Sequence, residues 1–295
     1  MKRTRGEFAF QIIDIFLMAV VAFIIIIPFM HIVSISVSSK EAVTSLSVNI
    51  FPKGFNLGAY QEILKQGLFI RSLINTVGLT AVATILSLIV NIMAAYSFSK
   101  TFYAKKLIIY AFVICMYFSG GLIPSYILVT KWLHLYNSYL AFILPGLVNV
   151  FYIIVLRSQI ESIPASLSEA AIIDGANEFQ VMFRIVVPAI SASIAAIGMF
   201  IALAMWNVWF PVMIYSNKRE LWTLQYFLRA IVFDKFMEFM PTSTSSVKVV
   251  SDAEDINPQN FQMAAIILVA LPIVSVYPFV QKYFVKGILA GSVKG

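Results

Sequence analysis

Cysteine is almost missing from this chain: the only one, Cys115, sits inside an apolar run. A single thiol excludes an intramolecular disulfide framework, and with only two histidines there is no Cys/His cluster of zinc-binding spacing. Charge is also scarce, at 12% Asp, Glu, Lys and Arg, where soluble domains carry about 25%. Nucleotide and metalloprotease signatures are missing too: no Gly-x-x-x-x-Gly-Lys-Ser/Thr, no Gly-x-Gly-x-x-Gly after a strand, and no His-Glu-x-x-His. Any energy that drives the protein is therefore expected to come from elsewhere. No paired acids and no Ser/His arrangement falls in the apolar segments, which argues against an intramembrane enzyme.

What the chain does contain is apolar. Hydrophobic residues make up 60% of its 295 positions, and the mean hydropathy is +0.89, both outside the soluble range. The net charge of +7 invites a nucleic-acid reading. Yet the basic residues are scattered between apolar stretches, with no basic stripe interleaved with aromatics, so no nucleic-acid partner is expected. Contact with membrane lipid and the positive-inside bias account for the charge.

A hydrocarbon core needs roughly 20 mostly apolar residues per helix. About six stretches qualify, at 12–34, 72–98, 107–129, 139–156, 187–215 and 261–284. The alternation of a membrane barrel is absent, so the expected fold is an all-α polytopic membrane protein forming a single transmembrane domain over 1–295. The first stretch follows Lys2, Arg3 and Arg5 and lacks a small-x-small cleavage site, so it reads as an uncleaved span. Lys100, Lys105, Lys106, Arg157, Arg184, Lys282, Lys286 and Lys294 fall on the same side as the N-terminus, which places both termini in the cytoplasm.

On the outer side, 35–71 carries Pro52, Gly54 and Gly58 and reads as irregular structure with a short helix over 60–65. The stretch 119–137, with Gly120, Gly121 and Pro124, is apolar enough to lie in the interface or re-enter it. The longest outer loop, 216–260, exceeds usual connection lengths and reads as functional; its 221–236 portion is amphipathic and its 241–258 portion polar.

A polar interruption at 162–186 lies between the fourth and fifth apolar stretches. Pro164 suits a first helical turn, and Ser166 with Glu169 has capping-box spacing, so a helix is expected over 166–174. Gly175 would end it in a left-handed conformation, and a second helical stretch would run over 177–185. A helix lying on lipid prefers Lys and Arg on its polar face. Here the first helix offers Glu169 and Asp174 instead, which favours docking to a soluble partner.

The run EAAIIDGANEFQVMFRIVVP, at 169–188, resembles the cytoplasmic EAA loop of binding-protein-dependent ABC importer permeases. Glu169, Ala170, Ala171, Asp174, Gly175, Ala176, Phe183, Ile185 and Pro188 match that pattern. Val187 stands where leucine is usual and Ala192 where a second proline is common. The six stretches and the long loop before the last also resemble maltose-type (MalG-like) sugar permeases. The segments FSGGLIPSYILV and WNVWF look more like the oligosaccharide and polysaccharide branch of Gram-positive bacteria.

The resemblance implies a type I ABC importer permease fold in a bacterial cell membrane. It implies a second permease as a heterodimer partner, two ATPase subunits carrying ATP and Mg, and an extracellular solute-binding protein that delivers a carbohydrate. No cofactor is implied on this chain. The loop 162–186 would be the cytoplasmic coupling element. Its helix would enter an ATPase cleft, with Glu169, Ala170, Ala171, Asp174, Gly175 and Ala176 as coupling residues; the loop 216–260 would touch the binding protein.

Candidates for the substrate pathway are Trp206, Asn207, Trp209, Asn149 and Asn91, with Asn75 beside them. Tryptophans stack on sugar rings but also anchor helix ends at the lipid interface. Asparagines in spans contact solutes but also join helices. Asp14 and His31, in the first span, would allow a proton relay. The rival class, an ion-driven secondary transporter, would need ionisable residues near mid-membrane, and the central spans hold almost none.

Overall fold

The computed structural model describes residues 5–65, 67–118, 120–238 and 257–292. In order, the helices are α1 (Arg5–Ser36), α2 (Lys40–Thr44), α3 (Gly58–Lys65), α4 (Gly67–Ser99), α5 (Lys105–Tyr117), α6 (Leu122–Ile127), α7 (Leu140–Ile143), α8 (Val150–Glu161), α9 (Ala165–Ile173), α10 (Glu178–Val181), α11 (Val187–Ala189), α12 (Ser191–Trp206), α13 (Phe210–Tyr215), α14 (Leu224–Glu238) and α15 (Pro258–Ser292). No strand occurs among the described residues. Most of the expected polar stretch 241–258 lies outside the described residues.

Among the described residues three single helices are long and apolar enough to cross a membrane, Phe10–Ser36, Gly67–Ser99 and Pro258–Ser275, and the passages number six if each of three bent pairs is one span. The others are helix pairs, which corrects the expectation of continuous spans. Lys105–Tyr117 pairs with Leu122–Trp132, Leu140–Gly146 meets Val150–Glu161 at 52°, and Glu178–Ala189 meets Ser191–Trp206 at 84°. Each break has a local cause. Gly121, at φ +87°, starts α6 in a conformation that side chains disfavour. Pro145 sits in the 3-10 turn Leu144–Gly146 that follows α7, and Asn149 then restarts the helix from an extended backbone. Pro188 removes the donor that would continue the ladder, and the turn before it is a π-helix, Met182–Val186.

The chain divides into two compact units, Met1–Phe69 with Leu228–Ile273, and Ile70–Phe227 with Val274–Gly295. In the first, the end of α1 meets the start of α15: the Asn260 amide donates to the carbonyls of Ile35 (2.7 Å) and Ser38 (2.8 Å). Ser36 and Tyr60 share a hydrogen bond of 2.7 Å, which ties α3 to the same place. Nearly all of the apolar length of α1 is exposed, as suits a helix whose solvent is lipid.

The second unit is built on a cluster of Ile92, Ala95, Ile153, Leu156, Val186 and Ile197, with neighbours from the same helices. It packs α4, α8, the π turn and α12 together. Gly198 permits this approach: a Cβ there would stand 3.0 Å from a Leu88 methyl.

Candidate functional site

The connection from α8 to α12 folds as a helix, a closed turn and a capped second helix. Pro164 is the N-cap of α9, with φ −57° and ψ 127°, and no side chain caps the helix. This corrects the expected capping box. Because Pro164 takes the cap position and its carbonyl accepts from Leu167 (3.2 Å), Ser166 falls inside the first turn, where its hydroxyl cannot cap. The capping box lies instead at the next helix. Asn177 accepts from the Gln180 backbone and Gln180 from the Asn177 backbone, both at 2.9 Å. The Asn-x-x-Gln spacing was the available signal.

Gly175 has the expected left-handed conformation, φ +86°. Around it Ala176 donates to the Ala171 carbonyl (2.9 Å) and Gly175 to that of Ile172 (3.0 Å). This pair of bonds is a Schellman closure, and it satisfies the last carbonyls of α9 within the loop itself. Ala171 and Ala176 are half-buried against the core cluster. Glu169, Ala170, Asp174 and Gly175 are exposed, and the two carboxylates form no ion pair among the described residues.

Apolar side chains stand beside them. Ile173 is 85% exposed, with Phe179 at 62% and Leu167, Ile172 and Phe183 about as open. Five large apolar groups are thus exposed on one short polar loop. The loop is firmly seated beneath, since Val181, Met182 and Val186 are buried in the cluster with α4 and α8.

Sequence reasoning missed the anchor of the second helix. The Tyr96 hydroxyl donates to the Glu178 carboxylate, the Lys100 ammonium stands 3.1 Å from it, and the same ammonium lies 4.8 Å above the Tyr96 ring. Only the Tyr96–Lys100 spacing of one helical turn was visible in advance. A cavity of about 350 Å³, lined by Ser99, Lys100, Glu161, Ser168, Glu169 and Ile172 among others, opens beside α9. Glu161 braces its wall through Arg157 (2.8 Å) and Lys105 (3.8 Å).

The pathway candidates fall in two places. Asn91 is fully buried; its amide donates to the Leu147 carbonyl (2.9 Å) and its oxygen accepts from the Asn149 backbone (2.9 Å). The Asn149 side chain caps α8 by accepting from Phe151 at 3.0 Å. Together they brace the break before α8. Asn75 likewise holds the Glu220 and Trp222 carbonyls, at 2.8 and 2.9 Å. At the end of α12, the Asn207 amide donates to Leu203 (2.8 Å) and Trp209 meets Phe210 edge to face at 5.5 Å. The Trp206 indole nitrogen is buried with no partner among the described residues. His31 bonds to the Asn49 carbonyl at 2.8 Å, and Asp14 stands on the exposed face of α1.

Long apolar helices and bent helix pairs on either side of an anchored loop define the class: a multi-pass membrane protein. No protein-family model matches the chain. It is 36% identical over 278 residues to the polygalacturonan/rhamnogalacturonan transport system permease protein YtcP of Bacillus subtilis (strain 168), covering 93% of this chain and 94% of that one. It superposes on a chain of a bacterial ABC transporter involved in the import of the acidic polysaccharide alginate with a TM-score of 0.84, at 28% identity, over 96% of this chain and 99% of that one. A bacterial alginate ABC transporter in complex with an alginate pentasaccharide-bound periplasmic protein shares the fold, with a TM-score of 0.54 at 17% identity over 92% of each chain. The chain belongs to the permeases of ABC carbohydrate importers.

Proposed function

We propose that this permease imports an acidic oligosaccharide, and that α9 is the coupling helix through which ATP hydrolysis on separate subunits drives it. The observation that carries the reading is the α9 loop, whose exposed Leu167, Ile172 and Ile173 surround Glu169 and Asp174 on a closed, self-capped scaffold. An apolar patch with two unpaired carboxylates suits a cleft on an ATPase subunit, the apolar groups supplying affinity and the carboxylates orientation. Two such subunits would bind ATP and Mg, since this chain has no phosphate-binding loop.

A second, related permease would complete the pathway, and an extracellular binding protein would deliver the sugar at the side opposite α9. Both termini then lie in the cytoplasm with α9, as the distribution of Lys and Arg favours. The acidic nature of the cargo is supported by the relatives' substrates, polygalacturonan and alginate, and by α4 and α12, which carry no Asp or Glu to repel a uronate.

The test is Gly175→Asp. A Cβ at Gly175 meets nothing within 4 Å, so the change adds a charge on the docking face and a backbone strain of about 1–2 kcal/mol, leaving the fold intact. The variant is expected to insert in the membrane and pair with its partner permease, yet to lose ATPase co-purification and uptake. Normal ATPase association and uptake would refute the docking role.

A further inference from the structure

After α2 the chain comes back beside the last two turns of α1 and is tied to them at several points. His31 is bonded to the Asn49 carbonyl at 2.8 Å, and the Ser34 hydroxyl donates to the Ile50 carbonyl. Further along, the Lys53 N–H donates to the Ser38 hydroxyl (3.1 Å) and the Lys53 carbonyl accepts from the Ser39 backbone (3.0 Å). Asn56 donates to the Val37 carbonyl at 2.9 Å. Gly54 permits so close a course: its φ is +65°, and a Cβ there would stand 2.9 Å from the Ser39 side chain. On the inner side Val48 is buried with Ile35 and Val43.

The open side of this segment is apolar. Phe51 is 76% exposed and Phe55 74%, with Ile50 exposed beside them. Lys53 stands between the two phenylalanines in sequence, exposed, and forms no ion pair among the described residues. No Asp or Glu occurs from Ala42 to Gln61. Leu46 is as open as Phe51, but its backbone is bonded to Val43 of α2 (3.1 Å), so its level is not set by α1.

The bonds to α1 fix the depth of these side chains. The apolar passage of α1, Phe10–Ser36, is 27 residues long, about 40 Å at 1.5 Å per residue, which matches a bilayer with its headgroup regions. The stretch from His31 to Ser36 therefore stands in the interface, and Asn49 and Ile50 stand with it. Next to them α1 exposes Phe29, Met30 and Val33, so Phe51 and Phe55 extend an apolar surface that already faces lipid. We propose that 49–56 is an interfacial membrane anchor, with Phe51 and Phe55 seated among acyl chains at the C-terminal end of α1 and Lys53 reaching headgroup phosphates. The phenylalanines gain by leaving water, the lysine carries its charge to the headgroups on an apolar stem, and the lack of acids avoids repulsion from phosphate. The leaflet is the outer one in the orientation proposed above. Such an anchor holds the end of α1 at one height, which a helix longer than the hydrocarbon core does not do by itself.

The experiment uses the assembled importer, without its binding protein, in proteoliposomes of phosphatidylethanolamine and phosphatidylglycerol. In a Cys115→Ala background, Phe51→Cys, Lys53→Cys and Phe55→Cys each carry a nitroxide. Collisions of the nitroxide with oxygen, which concentrates among acyl chains, are compared with those of a water-soluble nickel chelate. The oxygen-to-nickel ratio is expected to be several-fold higher at 51 and 55 than at 53. With the label at 55, Lys53→Glu is expected to lower the ratio, and an unchanged ratio overturns the phosphate contact. Ratios at 51 and 55 as low as in the aqueous phase overturn the anchor. Low collision with both reagents at these positions also overturns it, and would show that the partner permease covers the face. Ile50→Cys, at the level set by Ser34, replaces any variant that fails to assemble. The depth readout involves neither sugar nor ATP, so the anchor and the import function stand or fall separately.

Discussion

The α9 loop and the middle of α4 break the same rule in opposite directions. At α9 the last carbonyls are satisfied within the loop, while Ile173 stands 85% exposed. In α4 the Ser72, Thr80 and Thr84 hydroxyls are buried with no partner among the described residues. Exposed apolar groups call for a partner that is permanent or at least greasy. The two regions thus differ in what each leaves unsatisfied: exposed apolar surface on the α9 loop, and buried polar atoms on α4.

The largest effect expected to test this contrast is at the docking face. Ile173→Asp should weaken ATPase association by about 2 kcal/mol or more, roughly thirtyfold, without lowering the unfolding temperature. Measuring affinity between the purified permease pair and the ATPase checks it, and unchanged affinity would remove Ile173 from the interface.

Asn91→Ala is next. It leaves the Asn149 N–H without its buried partner and the Leu147 carbonyl with the Ser87 hydroxyl alone, at a cost of about 1–3 kcal/mol. Its thermal stability should fall, where that of a Thr80→Val/Thr84→Val double variant, whose hydroxyls make no bond among the described residues, does not. Equal responses would erase the distinction between bonded and orphaned rungs of one helix.

Glu178→Gln should matter least. The Tyr96 bond survives in the amide, and the ion pair with Lys100 is solvent-exposed, with side chains 39% and 59% open. A stability change under about 1 kcal/mol is expected. A collapse of coupling in this variant would move the anchor of the loop from the buried Val181–Val186 packing to the charge pair.

The sequence made the passages legible because long apolar runs have no other use in a chain this poor in charge. Gly175 was legible for a similar reason: few residues accept φ +86°. The short helix expected over 60–65 exists and begins earlier, at Gly58. The break at Gly121 falls in the stretch expected to lie in the interface or re-enter it, whereas those at Pro145 and Pro188 escaped, because hydropathy sums across the prolines without registering lost donors. Ser166 and Glu169 have capping-box spacing, but the cap position of α9 falls on Pro164, which puts Ser166 inside the first turn. The meeting of Tyr96 with Glu178 spans 82 residues, and no local pattern encodes it. The four-residue spacing of Ser72, Thr76, Thr80 and Thr84 on α4 is written in the chain, but only the fold reveals which of these rungs lack partners.

The closed ends of α9 have a consequence for evolution and for engineering. A proline at one end and a left-handed glycine turn at the other let its nine residues, Ala165–Ile173, fold without capping side chains from the membrane bundle. Only Ala171 within it packs against the core. The remaining positions are free to vary together, so the choice of proposed ATPase is portable: a nine-residue cassette that one permease could lend to another while keeping its own cargo.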